Sequence, residues 1–304
     1  MSLGNFKATI GIWFLASRPV TLTASAVPVI LGTSLAAGSG LFSWQLFACA
    51  FIGSIFIQIG TNLADEYTDH RKSGELKKFP APHKVIQRGL LSERAVLMGT
   101  LFCFAVGSSV GLYIVYMVGW PILAIGIASV SVGYLYSSGP IPLGNWALGE
   151  LTVFIFMGPL IVMASYFVQI ESFSVQTFWQ SIPIGLLVTS ILQANNLRDI
   201  HEDRSQGKHT LTTIFGESFG RNFYSILTFG SHVFTVGLIL YGYYPWTTTL
   251  LFLALPQLAV TNRKLRAAKE KMQFNLVLIT TAKLHFVSGL LIATGILIGI
   301  ILKI

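Results

Sequence analysis

Apolar runs of membrane length recur along the chain, near residues 20–37, 44–61, 96–113, 119–137, 148–168, 180–195, 222–241, 246–261 and 276–302. Several fall short of the ~20 residues that cross a bilayer as a helix, so polar residues at their ends must continue those helices. Ten-residue segments that alternate apolar and polar positions are not seen, which argues against an outer-membrane barrel. A helix bundle is the remaining spanning architecture. The pattern therefore predicts an all-α fold, a polytopic membrane helix bundle of nine transmembrane helices, built as a single domain over 1–304 with polar loops at about 62–94, 195–221 and 262–275.

Composition agrees: 53% of the residues are hydrophobic and 11% are charged, against about 25% charged in soluble domains. The net charge of +8 matters through its placement. Of twenty Lys and Arg, seven lie in 62–94, four in 195–221 and five in 262–274, whereas 37–43, 114–118, 167–179 and 241–246 contain none. By the positive-inside rule the basic loops face the cytoplasm together with the N-terminus and Lys7, and nine crossings place Ile304 outside. Trp44, Trp120, Trp179 and Trp246 each open an even-numbered span from the charge-free side, and Trp13 and Trp146 lie near the other face, as expected of indoles at headgroup level. Lys and Arg confined to membrane loops do not form a nucleic-acid-binding face, so no nucleic-acid partner is expected. Cys49 and Cys103 sit inside apolar spans and read as core residues. The first dozen residues lack the apolar region and small-residue site of a cleavable signal peptide.

Two polar octets interrupt this chain, Asn62-Leu63-Ala64-Asp65-Glu66-Tyr67-Thr68-Asp69 and Asn196-Leu197-Arg198-Asp199-Ile200-His201-Glu202-Asp203, and together they hold six of the twelve acidic residues. Asn62, Asp65 and Asp69 are spaced i, i+3, i+7 and share one helix face, a geometry that Asn196, Asp199 and Asp203 repeat. Each octet ends a span where the helix dipole is negative, so a row of carboxylates is disfavoured there unless something positive is bound. A single N-x-x-D at a helix end is often mere solvation. Two copies, each followed by a basic loop containing Gly74 or Gly207, point to two halves of one site.

Hard carboxylate oxygens suit Mg²⁺ shared with a phosphate-bearing ligand, with Lys or Arg on the free phosphate oxygens. The predicted metal ligands are Asp65, Asp69, Asp199 and Asp203. Among the nearby cations Arg71, Lys72, Lys84, Arg88, Arg198, Arg204 and Lys208, most serve topology. Lys84, within Pro82-His83-Lys84-Val85-Ile86-Gln87-Arg88-Gly89, and Arg198, inside the second octet, are the favoured diphosphate ligands.

At these residues the chain resembles the UbiA superfamily of intramembrane aromatic prenyltransferases, which carry two Asp-rich motifs on cytoplasmic helix ends. Within it the likeness is to the 1,4-dihydroxy-2-naphthoate polyprenyltransferases, through Ser17-Arg18-Pro19-Val20-Thr21-Leu22, Tyr134-Leu135-Tyr136-Ser137-Ser138-Gly139-Pro140, Leu148-Gly149-Glu150-Leu151, and Asn195-Asn196-Leu197-Arg198-Asp199 followed by Gly207-Lys208-x-Thr210-Leu211. Two departures stand out. The superfamily pattern usually reads Asn-x-x-x-Asp, whereas Asn62 precedes Asp65 by three; in the second motif Asn195 has the longer spacing and Asn196 the shorter. The lysine that follows a tyrosine in some branches is absent after Tyr134.

The resemblance implies a Mg²⁺-dependent transfer of a polyprenyl group from polyprenyl diphosphate to 1,4-dihydroxy-2-naphthoate, with loss of CO2 and diphosphate, in the cell inner membrane with the active site toward the cytoplasm. The catalytic set is Asp65, Asp69, Asp199 and Asp203. The substrate-binding set is Asn62, Lys84, Asn195, Asn196, Arg198, Arg18, Tyr134, Tyr136 and Glu150. Metal-assisted departure of diphosphate would leave an allylic cation in need of a dry, aromatic cavity, for which Tyr67, Tyr134 and Tyr136 are candidates, although simple packing is the commoner reason for any single aromatic in a membrane bundle. Arg18 is assigned to the acceptor carboxylate or, alternatively, is a snorkelling anchor. Glu150 enters the membrane and is assigned to acceptor binding or to a buried hydrogen bond. Lys283 and His285 read as snorkelling residues. Rival functions are the same fold acting on 4-hydroxybenzoate, haem, a chlorophyllide or a glycerol phosphate, and a cation-coupled transporter, which would place its acids near the midplane.

Overall fold

The computed structural model describes residues 3–73, 83–137 and 143–304. Its α-helices are α1 (Leu3–Ala16), α2 (Thr23–Ala36), α3 (Trp44–Ser73), α4 (Glu93–Val118), α5 (Trp120–Ser137), α6 (Gly149–Ile155), α7 (Ile161–Ile170), α8 (Val175–Arg198), α9 (Ile200–Ser205), α10 (Leu211–Phe215), α11 (Glu217–Leu240), α12 (Leu255–Ala267) and α13 (Lys271–Leu302). Among the described residues the only β-type pairing is the isolated bridge Trp146–His209. The fold is all-helical, and seven segments are long and apolar enough to cross a membrane: Pro19–Ser39, Trp44–Arg71, Glu93–Val118, Gly149–Ile170, Val175–Arg198, Glu217–Leu240 and Lys271–Leu302. These coincide with seven of the nine apolar runs. The other two runs are also helical: α5, a short α-helix of 18 residues, and the 3₁₀ helix Trp246–Ala254 leading into α12.

The chain forms two compact units, one of residues 1–22 and 52–142, the other of 23–51 and 143–304. In the first, the later part of α3 runs antiparallel to α4, and glycines let them approach closely: a methyl at Gly107 would lie 2.8 Å from Ile57, and one at Gly60 3.1 Å from Phe104. Trp13 packs against Gly99. Ala16, Leu63, Val85, Ile86, Val96 and Cys103 form the core here, so part of the loop after the first octet is anchored by two buried side chains. Ser92 caps α4, accepting from the Ala95 amide at 3.2 Å.

In the second unit consecutive rods alternate in direction. The segment α6–α7 opposes α8, with Gly158 so close to Gly185 that a methyl would fall 2.6 Å from its Cα. A π turn at Phe156–Leu160, containing Pro159, separates α6 from α7, because proline offers no amide to the helical ladder. Helix α8 opposes α11 through Ser231 on the Pro183 carbonyl at 2.8 Å; α11 opposes α12 through Ser225 on Asn262 at 3.0 Å. Contacts of Gly295 with Thr248 and of Gly299 with Pro245 set α13 against the preceding rod. Helix α2 runs parallel to α13, since Val27 meets Gly289 while Gly38 meets Ile300. All the second octet therefore lies at one end of this unit, together with Arg221, which donates to Ala268 at 2.5 Å, and Lys271.

Candidate functional site

In the first unit α3 continues without a break through Asn62, Asp65 and Asp69 to Ser73, so these residues do share one face. Asn62 is 6% exposed, and its amide donates to the Ser17 carbonyl at 2.8 Å and to Thr21 Oγ1 at 3.2 Å. That bond fixes the chain on both sides of Arg18, which has φ +53°, an uncommon conformation for a non-glycine residue and more so before proline. Arg18 Nη2 lies 2.6 Å from Asp65 Oδ2. Lys84 Nζ donates to Asp69 Oδ2 at 2.5 Å and stands 3.5 Å from Glu66 Oε2. Glu66, 1% exposed, also accepts from the Ile86 amide at 3.0 Å, which seats the Lys84 turn on α3. Tyr67 is covered by Arg71, whose guanidinium sits 5.7 Å from the ring centre.

The second octet is built differently. Helix α8 ends at Arg198, and Asp199, at φ −103° and ψ 9°, separates it from α9. The i, i+3, i+7 spacing thus does not give Asn196, Asp199 and Asp203 one continuous helix face, as the sequence predicts. Ile200, 3% exposed, turns inward at the break. Arg198 grips Asp199 with two bonds, of 2.9 and 2.5 Å, and donates to Asn195 at 2.6 Å and Asn275 at 3.0 Å. Lys271 reaches Asp199 at 3.4 Å and Glu202 at 2.7 Å. Lys208 Nζ lies 3.3 Å from Asp203 Oδ1, carried there by a turn through Gly207 at φ +68°. Asn196 donates to Glu150 Oε1 at 2.9 Å.

Electrostatics separates the two aspartates. Burial opposes ionisation of Asp199, but the Arg198 and Lys271 charges and hydrogen bonds outweigh it and hold the carboxyl below the usual range. Burial dominates at Asp203, with the Asp199 charge adding to it against Lys208, and its carboxyl is pushed up. A cavity of about 190 Å³ beside this end is lined by Arg198, His201, Glu202, Lys269, Lys271 and Phe274, among others.

Of the predicted site residues, Asn62, Asp65, Asp69, Arg18 and Lys84 come together in the first unit, and Asn195, Asn196, Arg198, Asp199, Asp203 and Glu150 in the second. Arg18, assigned from sequence to an acceptor carboxylate, is paired with Asp65. Tyr134 is 55% exposed and Tyr136 half-buried; Gly133, just before them, packs on Thr61 of α3. Gly74 and the Ser138–Pro140 end of the tyrosine segment lie outside the described residues. Sequence reasoning missed Glu66, Thr21, Lys271 and Asn275. Glu66 was visible as an acid inside the octet; the others are reached only through tertiary contacts.

The donors are all hard oxygens, which fits Mg²⁺. Among the described residues no three His, Cys, Asp or Glu side chains are grouped so as to hold a metal by themselves.

Comparison with known proteins identifies the family and the fold. The model of the UbiA prenyltransferase family matches residues 25–300. The 1,4-dihydroxy-2-naphthoate octaprenyltransferase of Bacillus subtilis is 32% identical over 95% of this chain and 92% of its own; the Escherichia coli protein of that name is 29% identical over 94% and 95%. A solved UbiA homolog from Archaeoglobus fulgidus, bound to DMAPP and Mg²⁺, shares the fold with a TM-score of 0.60 at 13% identity, covering 91% of this chain and 98% of that one. The apo UbiA homolog from Aeropyrum pernix K1 aligns with a TM-score of 0.64 at 15% identity, over 91% and 97%. Matched along nearly its whole length and carrying its acids on helix ends, this multi-pass membrane protein belongs to the UbiA prenyltransferase family.

Proposed function

We propose that the protein transfers a polyprenyl group from a polyprenyl diphosphate to 1,4-dihydroxy-2-naphthoate, with loss of CO2 and diphosphate, giving demethylmenaquinone. The observation that carries this reading is the interleaving of acids and cations at both octets: Asp65 with Arg18, Asp69 with Lys84, Asp199 with Arg198 and Lys271, Asp203 with Lys208. Carboxylates of each octet would hold Mg²⁺ while cations with few bonds of their own, Lys84 first among them, turn to the free phosphate oxygens. Bound there, Mg²⁺ would neutralise charge on the departing diphosphate. Asn62 holds the Arg18 turn against α3, Lys84 is aimed by Glu66, and Tyr134 and Tyr136 would offer aromatic faces to the allylic cation. The choice of acceptor rests on the names of the relatives.

The same reading sets nine crossings in a cell inner membrane, with the basic ends and the site toward the cytoplasm and one functional domain over the chain. The eighth rod, 3₁₀ and then α, is about 37 Å long at the usual rises, enough for the ~30 Å hydrocarbon core. Parallel α2 and α13 support an odd number of crossings.

The test is incubation of membranes containing the protein with labelled polyprenyl diphosphate, Mg²⁺ and each acceptor in turn. A prenylated, decarboxylated naphthoate product is expected. Product from 4-hydroxybenzoate or another acceptor but none from the naphthoate would reject the acceptor; none from any would reject the reaction.

A further inference from the structure

A buried carboxylate joins three segments around the second octet. Glu150, at the first turn of α6, is 3% exposed. Its Oε1 accepts from Asn196 Nδ2 on α8 at 2.9 Å. Its Oε2 is buried with no hydrogen-bond partner, and the backbone amides of Glu150 and of Leu211, at the start of α10, act on the carboxylate as donors. The segment before it is stitched to the same place. Ala147, at φ +57°, donates its amide to the His209 carbonyl at 2.5 Å, and the His209 amide donates to Asn145 at 3.1 Å. The return loop 207–211 is thereby tied to the start of α6. That loop carries Lys208, which meets Asp203 at 3.3 Å. Thr210 closes a reciprocal cap with Thr213 at the next helix, so the loop is fixed at both ends.

We propose that Glu150 is a positioning residue: an anionic clamp that sets Asn196 and the 207–211 loop, and through them Asp199, Asp203 and Lys208, for binding of Mg²⁺–diphosphate. This rests on the proposed prenyl transfer, and it replaces a role for Glu150 in holding the acceptor. The physical ground is that Asn196 Nδ2 and the backbone amides of Glu150 and Leu211, the groups that act on the carboxylate, are donors. A carboxylate satisfies donors only, whereas an amide would present N–H groups to N–H groups. The α6 N-terminus also favours a negative charge at this point. An acceptor would have to displace Asn196 to reach Oε1.

The experiment measures binding of inorganic diphosphate with Mg²⁺ by calorimetry on the purified full chain, alongside KM for donor and acceptor and thermal unfolding. Loss of an outer-sphere partner of a metal site commonly weakens binding by about tenfold or more, and that loss is expected for Glu150→Gln, with a matching rise in donor KM and little change in acceptor KM. The double variant Glu150→Gln/Asn196→Asp exchanges donor and acceptor across the same bond and is expected to regain most of the affinity, whether or not the single variant folds. Wild-type affinity in Glu150→Gln, an effect confined to acceptor KM, or a double variant that recovers stability but not diphosphate affinity would each overturn the proposal. A wild-type protein that binds Mg²⁺–diphosphate in this pattern yet prenylates no acceptor would instead reject the reaction and leave the clamp standing.

Discussion

The two octets look alike in sequence and are held in opposite ways. The first lies on an unbroken helix and draws its cations from other segments, Arg18 from before the first span and Lys84 from the following loop. The second is bent at Asp199 and supplies a cation from within, Arg198, locked by Asp199, Asn195 and Asn275. A guanidinium with that many bonds is committed to the protein. Lys84, a compact ammonium on a flexible stem, can exchange Asp69 for a phosphate oxygen at smaller cost. The first octet is thus the adaptable half and the second the rigid half.

The largest effect should come from removing a carboxylate from either half. Asp65→Ala and Asp199→Ala are each expected to lower turnover by on the order of a hundredfold or more, the scale of losing a preorganised electrostatic group. They should differ in stability by degree: both strand a part-buried guanidinium, but Asp199→Ala does so at the more buried Arg198 and should lower Tm more than Asp65→Ala does at Arg18. Product formation and thermal unfolding in detergent check this together. Equal losses of stability would remove the distinction between the halves.

The cations should split next. Lys84→Ala is expected to raise donor KM by about tenfold with a modest change in Tm, and Arg198→Ala to do the reverse, lowering Tm by several degrees, on the order of what ~2 kcal/mol does to a domain of this size. Arg18→Ala, given its pairing with Asp65, should raise donor KM more than acceptor KM. The opposite ordering would return Arg18 to the acceptor carboxylate.

How much of this was legible follows from the range of the contacts. The spans were visible because apolar runs are local, and the α3 face was visible because Asn62, Asp65 and Asp69 obey helical spacing. The break at Asp199 was not, since the same spacing occurs in both octets and the turn depends on burial of Ile200 and the return through Gly207. Nor could sequence separation show that Arg18 meets Asp65 or that Lys271 meets Glu202. The role of Glu150 was half legible: its entry into the membrane marked it as unusual, but only Asn196 and Leu211 show what it touches. The 3₁₀ start of the eighth rod escaped because hydropathy does not report helix type.

A smaller effect separates the two aspartates of the rigid half by pH. Folding favours the ionised form of Asp199, so its contribution to stability is full above the ordinary carboxylate range and is lost as pH falls through its lowered pKa. Folding favours the protonated form of Asp203, so its contribution is full below that range and is lost as pH rises through its raised pKa. Without Mg²⁺ at neutral pH, Asp199→Asn should lower Tm and Asp203→Asn should raise it slightly, both differences shrinking in acid. Because Asp203 must be ionised to hold a cation, Mg²⁺–diphosphate affinity should fall on acidification at Asp203 before Asp199. Unfolding curves across acid and neutral pH would show it; equal responses of the two variants would sink the assignment.

The smallest effect belongs to the outer edge of the adaptable half. Arg71 lies over the Tyr67 ring, donates to its hydroxyl at 3.2 Å and stands 3.5 Å from Glu93, but its side chain is 65% exposed. An exposed ion pair of this kind contributes under about 1 kcal/mol, and a solvated cation–π contact adds no more than that. Arg71→Ala should therefore change Tm by a degree or two at most and leave donor KM within about twofold, a gap of roughly 0.4 kcal/mol by the usual conversion. If Arg71→Ala instead raised donor KM as much as Lys84→Ala, the diphosphate would extend past Asp69 along α3, and Arg71 would join Arg18 and Lys84 among the cations that exchange partners.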